Sequence, residues 1–203
     1  VSQFGAGTFT DAETFDIVTA STLNIADINQ INVNSSVSGF AFDVMQNGNT
    51  LQILASTGIT WVADANGNWS DATNWDNDPT GVAADVLGNR LIFEGGGSNI
   101  TATADAGPYT NVGGFTFASA AGEFTLDGNQ VTFTDSASIL VDSTNSQTIQ
   151  NNLVAGNTAL GINTAGGDLT ISGDINAGAA NLNVTGAAGT TTTLDGVLTG
   201  AGG

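Results

Sequence analysis

Apolar residues in this chain recur at every second position in short bursts, and Gly, Asn, Asp and Ser separate the bursts. Alternation of this kind buries one face of an extended strand and leaves the other to polar side chains. Before residue 57 it is seen in Phe15-Asp16-Ile17-Val18, Leu23-Asn24-Ile25, Ile31-Asn32-Val33, Phe40-Ala41-Phe42-Asp43-Val44 and Leu51-Gln52-Ile53-Leu54. After Arg90 it continues through Leu91-Ile92-Phe93, Phe115-Thr116-Phe117, Phe124-Thr125-Leu126, Val131-Thr132-Phe133, Leu160-Gly161-Ile162, Leu169-Thr170-Ile171 and Leu182-Asn183-Val184. Helical periodicity is almost absent, so the pattern predicts an all-β chain.

Over the second half the bursts lie roughly 8 to 11 residues apart, the even spacing of a solenoid, sandwich or barrel. Their brevity favours parallel β-helix or solenoid coils, as do small-residue turns such as Gly166-Gly167 and Gly186-Ala187-Ala188-Gly189 and the near absence of Pro. Stacked coils also accommodate rows of like residues, and Thr190 to Thr193 suits such a ladder. A β-sandwich is the alternative. Gln46-Asn47-Gly48-Asn49 predicts a tight hairpin, because Asn-Gly is the preferred pair for a type I′ turn. All three tryptophans fall between residues 57 and 90, which divides the chain into a β segment at 1–58, a Trp-containing region at 59–90 and solenoid coils at 91–203.

Charge narrows the function. One basic side chain, Arg90, stands against nineteen carboxylates, a formal net charge of −18, and the chain has no Lys, His or Cys. An imidazole base, a thiolate and a Schiff-base lysine are therefore excluded, and catalysis would rest on carboxylates that are scattered along the sequence. Solenoid polysaccharide hydrolases work through two or three gathered acids, so the expectation is that this chain is not an enzyme. Nucleic acid is excluded as a partner because its phosphates would meet a surface of like sign. Apolar runs fall short of the roughly 18 to 20 residues of a membrane helix, so membrane insertion is not expected. A chain opening on Val1 reads as processed material or as a piece of something longer. Lacking Lys and Cys and bristling with Asp and Asn, it fits an extracellular or bacterial cell-surface setting.

The stretch Thr60-Trp61-Val62-Ala63-Asp64-Ala65-Asn66-Gly67-Asn68-Trp69-Ser70-Asp71-Ala72-Thr73-Asn74-Trp75-Asp76 resembles the opening of passenger-type modules in bacterial surface proteins with autotransporter-associated β-strand repeats. There a Trp, a Gly-Asn-Trp and an Asn-Trp recur in this order before a first strand, here Asn89-Arg90-Leu91-Ile92-Phe93-Glu94. Residues 15–20 and 47–53 resemble the closing coil of such a module. The resemblance implies a secreted β-solenoid serving as adhesin, sheath or filament, partnered by copies of itself or by neighbouring modules.

Three groups of residues are candidate sites. Asp64, Asn66, Asn68 and Asp71 place oxygens at alternate positions, as a calcium loop does, although the glycine and the closing acid of an EF-hand are out of place. The competing reading is an Asx-turn loop that satisfies its own backbone, and without calcium no cofactor is expected. Trp61, Trp69 and Trp75 suit either the cap of a first coil or a platform for sugar rings, the latter making a glycan-binding adhesin the alternative function. Phe4, Phe9, Phe15, Ile17 and Val18, in an uncharged N-terminal stretch, suit a strand joining one subunit to the next within residues 1–20. Arg90 is expected to pair with an acid such as Asp85 or Glu94. The leading expectation is a structural protein that assembles through β-strands.

Overall fold

The computed structural model describes residues 13–19, 40–47, 50–76, 81–86, 88–157 and 159–200. Strands make up 52% of it, with no α-helix among the described residues. Two compact units result, Val1–Thr57 and Gly58–Gly203, and the Trp-containing residues after 58 fall in the second.

The first unit holds β1 (Glu13–Thr19), β2 (Phe40–Asn47) and most of β3 (Thr50–Trp61). Both β1 and β2 pair antiparallel with β3. Asn47 faces Thr50, which closes β2 and β3 through the predicted hairpin, whose Gly48 and Asn49 lie outside the described residues.

The second unit starts with the last four residues of β3 and continues through β4 (Gly67–Asn68), a 3-10 turn (Ala72–Asn74), β5 (Trp75–Asp76), β6 (Arg90–Phe93), β7 (Ile100–Ala104), β8 (Tyr109–Phe117) and β9 (Phe124–Gly128). Next come β10 (Val131–Val141), β11 (Gln147–Ile149), β12 (Leu153–Val154), β13 (Ala159–Thr164), β14 (Leu169–Ile171), β15 (Ile175–Asn176), β16 (Asn181–Gly186), β17 (Thr192–Leu194) and β18 (Leu198–Thr199). Nearly all pair in parallel with the equivalent strand of the next coil, making a β-solenoid of about five turns. The antiparallel β3–β5 pair is the exception. A sandwich is thereby excluded, since its sheets would be antiparallel.

Three rows of inward side chains fill the interior. One climbs from Leu91 through Phe115, Ile139 and Ile162 to Val184. The second runs from Ala102 through Leu126, Ile149 and Ile171 to Leu194. The third runs from Tyr109 through Val131, Leu153 and Ile175 to Leu198. All but the final member of each row are buried. At ~1.5–3 kcal/mol for each large apolar side chain, these rows are the main stabilising term.

The corners are held by contacts from coil to coil. Asn151 donates from Nδ2 to the Asn129 carbonyl, 22 residues earlier, at 2.8 Å. Asp168 and Asp174 accept the Thr191 and Val197 N–H groups, each 23 residues later, at 2.7 and 2.9 Å. Gln147 bridges inside a corner: its amide oxygen accepts the Phe124 N–H at 3.0 Å and its amide nitrogen donates to the Gly122 carbonyl at 2.9 Å. Glycine sits where the coils touch most closely; a Cβ on Gly122 would lie 1.7 Å from the Gly97 carbonyl oxygen.

Candidate functional site

The beginning of the second unit is closed by aromatic rings. Trp61 and Trp69 are fully buried and Trp75 is nearly so. Trp69 meets Tyr109 edge-on at a centroid distance of 4.9 Å and lies 6.2 Å from Trp75, which packs edge-to-face with Trp61 at 5.1 Å. Phe93 stacks on Phe117 at 5.3 Å and extends the cluster inward. The Trp61 and Trp75 indole N–H groups donate to the carbonyls of Ala63 and Trp69, both at 2.9 Å. β5 also lies antiparallel along the outer edge of β3, with Trp75 opposite Trp61. The three indoles thus pack against one another and against Tyr109 in the interior, the arrangement of a cap over the first coil.

The oxygen-rich loop is engaged with backbone. Asp64 Oδ1 accepts the Gly96 N–H at 2.6 Å and Asn66 Oδ1 accepts the Thr101 N–H at 2.7 Å, so both side chains tie the loop to the next coil. Asp71 caps the 3-10 turn, accepting the Thr73 N–H at 2.9 Å and its hydroxyl at 2.8 Å. These two bonds hold the Asp71 carboxyl below the ordinary carboxylate value. Asn68 contributes its carbonyl to Asn74 Nδ2 at 3.0 Å. No group of three or more His, Cys, Asp or Glu side chains suited to a metal occurs among the described residues. The loop's chemistry is that of an Asx-type cap that fastens one coil to the next.

Asp105 takes part in the same closure. Burial pushes its carboxyl up, but the Ser70 hydroxyl at 2.6 Å and the Ser70 N–H at 3.1 Å more than offset this and leave it below the ordinary value. Burial raises the Tyr109 hydroxyl above its usual range.

Arg90 is buried in β6 and spans three coils. Its Nε donates to Thr116 Oγ1 at 2.6 Å, and its terminal nitrogen donates to the Phe115 carbonyl at 3.0 Å and to Ser138 Oγ at 2.9 Å. Burial raises the Asp142 carboxyl above the ordinary carboxylate value, an effect that the Arg90 charge partly opposes.

The predicted joining residues fall on the first unit. Phe15 and Val18 lie on β1 opposite Ile53 and Leu51, and Ile17 falls within a register shift between Asp16 and Val18. Phe4 and Phe9 lie outside the described residues.

Val184, Leu194 and Leu198, the final members of the three interior rows, are 45%, 36% and 55% exposed, and neighbouring Val197 is 61% exposed. Among the described residues no strand pairs with the outer edges of β16, β17 or β18. None of the nineteen carboxylates lies on those three strands. The burst pattern places these residues on strands but does not single them out, because an exposed Val184 and a buried Ile162 look alike in sequence. What distinguishes them is the coil-length offset between the two, visible only once the rows are aligned.

Comparison of the chain with protein-family models, with curated proteins and with solved structures finds no match.

Proposed function

We propose that this chain is a structural, non-enzymatic module of an extracellular bacterial surface fibre, sheath or layer assembled through β-strand pairing. The observation carrying this reading is the β-solenoid itself, whose coils are joined by three continuous rows of apolar side chains and by hydrogen bonds from corner to corner. The setting follows from the absence of Lys and Cys and from the resemblance of residues 60–76 to surface-protein modules. A non-enzymatic role is supported by the lack of Lys, His and Cys and by corner carboxylates such as Asp168 and Asp174 that hold the coils together.

Negative-stain electron microscopy of the purified chain tests the reading. Filaments or sheets are expected. Dispersed particles from the native chain at all concentrations would refute assembly.

A further inference from the structure

On the face built by β7, β9, β11, β14 and β17 the second residue of every strand is threonine. Thr101 pairs with Thr125, Thr125 with Thr148, Thr148 with Thr170 and Thr170 with Thr193, five rungs in unbroken register. Rungs are one strand spacing apart, ~4.7–4.9 Å, so the rank runs for roughly 19 Å. A β-branched side chain is stiff at χ1, and each rung therefore holds one methyl and one hydroxyl in a fixed direction. All five side chains are half-buried, and among the described residues their hydroxyls form no hydrogen bond with the protein. Threonines of other coil faces behave differently: Thr185 and Thr190 donate to the carbonyls of Ile162 and Thr164, one coil away, at 3.3 and 2.8 Å. Hydroxyls left unused along one straight rank are available to a partner outside the molecule.

We propose that this threonine face binds the surface of ice. The inference goes beyond the assembly reading and does not depend on it. Period selects the partner: a stiff row of equal steps engages all its rungs only on something that repeats at the same step, and the water lattice of ice repeats at close to the strand spacing. A dissolved small molecule would reach one or two rungs. Each hydroxyl both donates and accepts, as a lattice water does, and each methyl gains by shedding loosely held water. Because the rungs are already fixed by stacking and by χ1, little freedom is lost on contact. Charge selects in the same direction. Glu123, Asp127, Asp168 and Asp195 flank the rank, so a second copy laid face to face would set acid against acid, and an anionic surface would be repelled. The sole basic side chain of the sequence, Arg90, is buried in β6 and offers no relief. An uncharged lattice meets none of this opposition.

Ice-affinity capture of the full-length chain tests this. Ice is grown slowly on a cooled probe from dilute protein, and the fraction taken into the ice is compared with that left in the liquid. The native chain is expected to be enriched in the ice, whereas a solute without affinity is excluded. Thr148→Tyr, at the middle rung, is expected to lower the captured fraction about tenfold. Thr132→Tyr, the same change at a half-buried position of β10 on another face, is expected to leave it unchanged. Circular dichroism in the liquid should show both variants folded. Thr125→Ser/Thr148→Ser/Thr170→Ser is a milder probe that keeps the hydroxyls and frees χ1, and it too is expected to weaken capture. A native chain excluded from ice overturns the proposal, whether or not it forms filaments. Undiminished capture of Thr148→Tyr, or of the triple serine variant should the tyrosine disturb the fold, removes this face as the site. Retention on powdered crystalline cellulose without capture in ice would make the partner a polysaccharide lattice and would likewise overturn it.

Discussion

Removing the Trp69 side chain would empty the centre of the ring cluster, where it touches Tyr109, Trp75, Phe93 and Phe115. A buried aromatic replaced by alanine costs ~3–5 kcal/mol. Trp69→Ala is therefore expected to lower the urea midpoint sharply and to unfold the first coils, which a loss of ligand binding in an intact fold would not do. Carboxylates at this scale act in opposite directions. Asp142, raised by burial, binds its proton more readily folded than unfolded, so its contribution is fully present below the ordinary carboxylate value and is lost as pH rises through the raised one. Asp105 is lowered, so its contribution is present above the ordinary value and is lost as pH falls through the folded one. Melting temperatures between pH 3 and 7 are expected to show Asp142→Asn more stable than the native chain at neutral pH and converging with it in acid. Asp105→Asn should be less stable at neutral pH and should likewise converge.

Elements meet at their corners, and there two glycines serve different ends. Gly122 is required by space, since a Cβ would strike the carbonyl of Gly97 in the coil below. Gly178 has open space around it but a φ of +57°, a left-handed backbone that costs other residues ~1–2 kcal/mol. Chemical denaturation should show Gly178→Ala losing about 1 kcal/mol and Gly122→Ala losing more, about 2–3 kcal/mol, with a broadened transition as neighbouring coils part. Among the described residues the strands were legible from alternation, the bursts at 23–25 and 31–33 lying outside them, and brevity with small-residue turns separated solenoid from sandwich. The period was not. Bursts recur every 8 to 11 residues, whereas coils recur every 22 to 24, because each coil has several faces and two of them merge in bent strands such as β8 and β10. The candidate loop shows the same limit. Asp64 and Asn66 look like ligands because their oxygens alternate, yet the groups they bind, Gly96 N–H and Thr101 N–H, lie a coil away, at a distance in sequence that no local spacing reveals. Arg90 was expected to pair with an acid such as Asp85 or Glu94, and only the stacking of β6, β8 and β10 shows that oxygens on successive coils also receive its buried guanidinium.

For the whole molecule the governing quantity is net charge. Copies carrying −18 repel one another, so any assembly of the proposed kind depends on screening. Raising ionic strength from 0.01 M to 0.15 M shortens the Debye length from about 30 Å to about 8 Å. Weight-average mass by light scattering is expected to rise over that range, and to rise again as pH falls toward 4 or as divalent cations are added. Mass unchanged under all three conditions would rule out charge as the brake on assembly.

The coil-by-coil stacking also makes the molecule a reserve of length. Under tension along its axis, a coil of 22 to 24 residues that peels away exchanges a rise of roughly 5 Å for an extended chain of roughly 75 Å. Because each coil leans only on its neighbours, the chain should yield in instalments, with force spectroscopy recording successive increments of about 70 Å. A surface thread built this way would stretch and dissipate a pull before it broke.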